Sequence, residues 1–200
     1  MTSSFELLWG TTSLSEEEQS LMKEFLSSSE RVRANFLSPS QSSRYVAGRY
    51  FARELGAQLL QTEWTSVVPT AHCEKCGMDH GAIHVQGSNL KISLSYSGDR
   101  LVAAGTFGQH IGIDIEHGRL ADQREIAARS GLLEVSLAQW CEYEAVVKAA
   151  GVGITHSFDE VTVINSEGGR IAQLAGLEGR YEMIPATQHE DLVLAVALRL

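Results

Sequence analysis

The chain has no run of about eighteen apolar residues, so nothing in it reads as a membrane-spanning helix. Its opening, "MTSSFELLWG", lacks the basic stretch and apolar core of a secretory leader. Cysteine is scarce and odd in number: Cys73, Cys76 and Cys141. Such a set does not build a disulfide framework and fits a reducing compartment, so the sequence reads as a cytoplasmic protein with free thiols. Basic residues are short too. With 16 Lys plus Arg against 25 Asp plus Glu the formal charge is −9, and no block of Lys and Arg alternates with aromatics, which argues against a nucleic-acid partner. No glycine-rich phosphate loop or dinucleotide fingerprint occurs. "SLSYSG" lacks the glycine two residues before a serine that a nucleophile elbow requires, so kinase and hydrolase readings fall away.

A chain of 200 residues with 44% hydrophobic content can bury a core without disulfide staples, as one domain or as two small lobes. "SLSEEEQSLMKEFL" offers Ser13 or Ser15 as the N-cap of an early amphipathic helix. A longer helix follows, with Ser38 as N-cap, Pro39 at the first helical position and Gln41 at the third. "KISLSYS", "RLVAAGTF" and "HIGIDIE" are β-branched and apolar segments broken by turn residues, and predict three strands. Ser136 with Gln139 forms a second capping box, opening a helix that stops at Gly151. "EVTVIN", "RYEMIP" and "DLVLAVALRL" predict strands again. Helix, strands, helix, strands suggests a duplication, and "DRLVAAGT" and "DLVLAVAL" share an acidic start and an apolar run. The expectation is therefore an α+β fold of two pseudo-symmetric lobes, residues 1–110 and 111–200, each a mainly antiparallel sheet packed with a long helix. Two lobes inside one chain make a monomer sufficient.

"GIDIEHGR" places Asp114 and Glu116 two apart, so in a strand they share a face while Ile113 and Ile115 enter the core. Neighbouring like charges invite a compensating cation, and Mg²⁺ needs only one or two carboxylates when phosphates and water complete its shell. The bland alternative is a solvated strand end. In "WCEYEAVVKAAG", helical spacing puts Trp140, Glu144 and Lys148 on one stripe, which alone would be an ordinary Glu–Lys surface pair.

Taken together, "GIDIE", about two dozen residues, and then W-x-x-x-E-A-x-x-K resemble the 4′-phosphopantetheinyl transferase family, in particular its longer, two-lobed, surfactin-synthetase-activator type. Gly112, Asp114, Glu116, Trp140, Glu144, Ala145 and Lys148 occupy the places of the family pattern. "RYVAGRYFAREL", "CEKCGMDHG", "SLSYSGDRLVAAG" and "DLVLAVAL" are similar to further family segments, so the likeness covers the chain from about residue 30 onward. The resemblance implies a site in the cleft between the lobes and transfer of phosphopantetheine from coenzyme A to a serine of an acyl or peptidyl carrier protein. It implies Mg²⁺ held by Asp114, Glu116 and Glu144, a proton-accepting role for Glu144 or a water beside it, and phosphate contact by Lys148. Ser95 and Tyr96 fall where the resemblance implies coenzyme A is bound, and Arg44 or Arg49 on the first long helix could hold the nucleotide's 3′-phosphate, a solvated arginine being the alternative at each place.

Three positions depart from the family. Tyr96 stands for a histidine that contacts phosphate, Tyr143 for a lysine, and Ala82 for the lysine of a "GKP" turn. A charge-assisted hydrogen bond is worth about 1.5–3 kcal/mol, so each loss weakens coenzyme A binding roughly ten- to a hundredfold unless replaced. The competing expectation is a family member impaired in catalysis that binds coenzyme A or a carrier as a scaffold. A net charge of −9 also works against an acidic carrier unless a local basic patch receives it. A third class is a zinc-bearing interaction module: Cys73, Cys76, His80 and His84 are spaced C-x2-C-x3-H-x3-H, with an ordinary loop of buried thiols and surface histidines as the alternative. Trp9 and Trp64 are expected in cores or lobe seams, and Cys141 as a buried thiol.

Overall fold

The computed structural model describes residues 4–71, 81–118, 135–152, 157–166 and 169–200. Three of the expected zinc ligands, Cys73, Cys76 and His80, lie outside the described residues; His84 lies on a short strand. In chain order the described elements are β1 (Glu6–Thr11), α1 (Glu16–Phe25), α2 (Ser28–Phe36), α3 (Pro39–Leu60), β2 (Pro69–Ala71), β3 (Ile83–Val85), β4 (Leu90–Ser97), β5 (Arg100–Phe107), β6 (Ile111–His117), α4 (Leu137–Ala150), β7 (Val161–Ser166), β8 (Gly169–Leu174), β9 (Tyr181–His189) and β10 (Leu192–Arg199). None of these helices is long and apolar enough to cross a membrane.

The helix starts follow local chemistry. Ser15, Ser27, Ser38 and Ser136 each accept from the backbone N–H three residues on, and the Glu or Gln there reaches back, satisfying donors that no intrahelical carbonyl can take. Pro39 begins α3, and Gly151 ends α4 in the left-handed region at φ 73°.

The strands form two five-stranded antiparallel sheets with the same pattern of neighbours, β1-β5-β4-β3-β2 and β6-β10-β9-β8-β7. Each sheet begins with an edge strand, continues after a long helix through a four-strand meander, and ends on the strand that pairs with the first. The fold is α+β with two pseudo-symmetric lobes. Its layers run α3, first sheet, second sheet, α4. Leu55 of α3 packs with Leu90, Ile92 and Ala103 of the first sheet, while Ala145 and Ala149 of α4 pack with Ala195 and Ala197 of the second. Between the sheets lie Val102 and Ala104 of β5, Ile111, Ile113 and Ile115 of β6, and Leu192, Leu194, Val196 and Leu198 of β10. The alternation of β6 is thus real: its isoleucines enter the inter-sheet core, and Gly112, Asp114 and Glu116 are left for the α4 side.

The close approach of β6 to α4 depends on Gly112. A Cβ there would lie 1.9 Å from the Ala145 carbonyl oxygen and 2.5 Å from the Ala149 nitrogen, both rigid backbone. Trp64 packs against Phe25 and Tyr50, and Trp9 stacks on His189 of the other lobe with ring centroids 4.4 Å apart. Cys141 is fully buried.

Candidate active site

The edge of β6 needs partners for its outward N–H groups, and the other lobe supplies them from side chains. Ser93, Ser95 and Ser97 alternate along β4 on one face and accept from the backbone N–H of Ile113 (3.2 Å), Ile115 (3.1 Å) and His117 (3.1 Å). Two of the same hydroxyls donate onward: Ser95 to Asp114 Oδ1 at 2.8 Å and Ser97 to Glu116 Oε2 at 3.1 Å. A ladder of serines therefore stitches the lobes together and orients both carboxylates. "SLSYS" carries this signal as three serines at a period of two, but only tertiary structure names their partner.

Lys148 completes the seam. From α4 its ammonium donates to Asp114 Oδ1 (2.6 Å), Ile113 O (3.0 Å) and Ser95 Oγ (3.1 Å), which engages all three of its protons. Asp114 is buried, and its other oxygen, Oδ2, has no hydrogen-bond partner among the described residues. The Cys141 thiol donates to Val193 O, and its pKa is pushed well above the ordinary range by burial first and then by the charges of Asp114 and Glu116. It is an inert neighbour of the carboxylates.

Glu144 is buried on α4 one turn before Lys148, and Trp140 one turn earlier is buried as well. The stripe of Trp140, Glu144 and Lys148 therefore faces inward. Tyr143 packs with Trp140 and Phe158 in the second lobe's core. Among the described residues no group of three or more His, Cys, Asp and Glu side chains is gathered to hold a metal ion. What the seam offers is two carboxylates on one strand face, their backbone positions roughly 7 Å apart, one of them with a buried unsatisfied oxygen. That donor chemistry fits a Mg²⁺ that fills its shell from phosphate and water.

The remaining expected residues lie on the first-lobe side of β4. Tyr96 points away from the seam towards α3, where a Cβ at Gly48 would stand 1.8 Å from its hydroxyl. Arg44, exposed, lies over the Tyr96 ring at 4.6 Å from its centre. Burial pushes the Tyr96 phenol up to about 12 against the lowering pull of Arg49 and Arg44, so it is a hydrogen-bond donor at neutral pH. Arg49 is buried and engaged: its Nε lies 3.2 Å from Glu30, which also holds Arg53 at 3.1 Å. The geometry brings Ser95, Asp114 and Lys148 into one hydrogen-bonded cluster with Glu116 beside it, pairs Arg44 with Tyr96, and sets Arg49 in the packing of α2 on α3.

The duplication shows why there is one such seam. Setting Leu192 of β10 on Arg100 of β5, the strand registers match Ser97 with His189, Ser95 with Thr187, Asp114 with Leu8 and Glu116 with Gly10. The hairpin turns match as well, with Gly98 at φ 59° and Glu190 at φ 55°. The second seam, marked by the Trp9–His189 stack, thus has neither acid. A shallow hollow of about 640 Å³, lined by Thr162, Gln173 and Arg180 among others, lies on the outer strands of the second lobe and holds none of the seam's groups.

Comparison with models of known protein families gives no match, and neither does comparison with curated proteins.

Proposed function

We propose that this protein is a Mg²⁺-dependent transferase that moves the 4′-phosphopantetheine group of coenzyme A to a serine of an acyl or peptidyl carrier protein. The observation that carries the reading is the inter-lobe cluster of Ser95, Asp114 and Lys148 with Glu116 beside it, built on residues that resemble the family pattern. The carrier's serine oxygen forms a bond to the pantetheine-bearing phosphorus, the bond from that phosphorus to the bridging oxygen breaks, and 3′,5′-ADP leaves. Asp114 and Glu116, together with Glu144 of α4, would hold the metal, whose contribution is to neutralise charge on the diphosphate. Glu144 takes the serine proton. Lys148 releases one of its three acceptors to donate to the leaving oxygen, and Tyr96 and Arg44 contact the nucleotide end. The expected setting is the cytoplasm, with a monomer sufficient for the chemistry.

A second reading has its own support. Tyr143 is core, and Arg49 is buried against Glu30, so neither replaces the basic contacts that the family pattern contains. A scaffold that binds coenzyme A or a carrier without transfer follows from that. The two are separated by incubating the protein with coenzyme A, Mg²⁺ and an apo carrier, following 3′,5′-ADP by chromatography while measuring coenzyme A binding by calorimetry. Release of 3′,5′-ADP that needs the carrier supports transfer; Mg²⁺-strengthened binding without release supports the scaffold.

A further inference from the structure

Between Glu30 and Glu54 this acidic chain has no carboxylate and five arginines. Most of α2 lies in this segment, and the helix's orientation is fixed from beneath. Glu30 caps its start by accepting from Ser27 N at 2.8 Å and is held from α3 by Arg49 and Arg53. Helical geometry at about 100° per residue places Glu30 and Ala34, both buried, on one side and Val32 and Phe36 opposite them. Phe36 is 88% exposed and Val32 55%, a pair one turn apart, with Arg31 and Arg33 flanking the stripe. Arg33 lies over Tyr45 of α3, and Arg44, one residue before Tyr45, covers Tyr96, which sits between two serines of the seam. Two arginine-over-ring contacts thus run from the patch along α3 to the strand that carries the seam's serines.

An aromatic left in water on a helix held from beneath, with Arg31 on one flank and Arg33 on the other, has the composition of an interface centre and not of a solvated surface. We infer that the outer face of α2, Val32 and Phe36 flanked by Arg31 and Arg33, docks an acidic protein helix with an apolar knob, which under the transfer reading is the carrier protein. The identity of the partner rests on that reading; the face and its chemistry do not. Charge complementarity selects this occupant. The chain as a whole repels acidic partners at −9, and at this corner Arg31, Arg33 and Arg44 supply local positive charge, while Arg49 and Arg53 are buried on Glu30. Because α2 is held by the Glu30 ion pairs, binding loses little to ordering it.

The test is fluorescence anisotropy of a labelled apo acyl carrier protein titrated with the full chain. Phe36→Ala should raise Kd at least tenfold, and Arg31→Glu at least fivefold with a weaker salt dependence. Ile164→Ala, which removes a half-exposed apolar group from β7, should leave Kd within twofold. Since Phe36 is exposed, its loss leaves the melting temperature unchanged, so misfolding cannot imitate the effect. The inference is overturned if the wild type does not bind, if Phe36→Ala binds as well as wild type, or if Ile164→Ala weakens binding equally. Self-association abolished by Phe36→Ala would give the face to a second copy and overturn it too. Binding without mass gain on the carrier would sink the transfer reading and leave the docking face standing.

Discussion

Replacing Lys148 with methionine keeps length and apolar stem but removes the charge that faces Asp114. The carboxylate, buried and 2.6 Å from the ammonium, would retain the Ser95 hydroxyl at 2.8 Å as its remaining donor. Stranding a buried charge costs about 3–5 kcal/mol. The lysine side chain is 29% exposed, so water reaches its end and partly replaces it, which lowers the figure to about 2–3 kcal/mol. For a chain of this size that is a fall in melting temperature of roughly 5–10 °C. Asp114→Asn removes the stranded charge, so Lys148→Met with Asp114→Asn should cost less than the two single changes added, by about 1.5–3 kcal/mol. Urea unfolding followed by tryptophan fluorescence, in chelator so that no divalent ion substitutes for the ammonium, measures each corner of the cycle. A Lys148→Met cost below about 0.5 kcal/mol, or strict additivity, would refute the seam as an ion-paired core.

Ser95→Ala removes an acceptor for Ile115 N–H and partners of both Asp114 and Lys148, and should destabilise by about 1–3 kcal/mol, more than Ser93→Ala, in the same unfolding assay. Gly112→Ala sets a methyl against the α4 backbone and should cost at least 1–3 kcal/mol by calorimetry, about the cost of overpacking. Gly48→Ala clashes with the Tyr96 hydroxyl at 1.8 Å, whereas the next ring atom stands at 3.0 Å, so Tyr96→Phe should rescue most of its loss in melting temperature. Above pH 10 an unfolded tyrosine releases its proton while folded Tyr96, pushed up to about 12, keeps it, so stability falls as pH rises from about 10 to 12. That loss is at most about 2.7 kcal/mol for a shift of this size, and Tyr96→Phe, followed by unfolding across the same pH range, should lack that portion.

Much of this architecture was legible because short-range chemistry decides it. Ser38, Pro39 and Gln41, and Ser136, Gln139 and Gly151, state where two helices begin or end, and the alternation of "GIDIE" states which side chains face the core. The start of helix α2 is written in the same way, in the capping box of Ser27 and Glu30. Strands β2 and β3 were not readable, since three residues each carry no periodicity and are specified by their neighbours in the sheet. Neither β1 nor β8 was predicted; β1 is fixed by pairing with β5, some ninety residues away. At the site, spacing brought Asp114 and Glu116 to one face, but it gave no sign that Lys148 would point at Asp114 or that the serines of β4 would bond to β6. Those contacts join elements from both halves of the duplication, and no local pattern encodes them. Arg49 was a candidate for the nucleotide's 3′-phosphate from its place on the first long helix; its carboxylate partner, Glu30, lies on α2, and no local pattern joins the two.

The transfer reading is tested most directly by the intact mass of an apo carrier protein after incubation with this protein, coenzyme A and Mg²⁺, beside Asp114→Ala and Glu144→Ala controls shown to be folded. The account predicts a gain of one phosphopantetheinyl group with the wild type and none with either control. An unchanged carrier mass with several carriers and a folded wild type, or a gain that survives loss of Asp114, would contradict it.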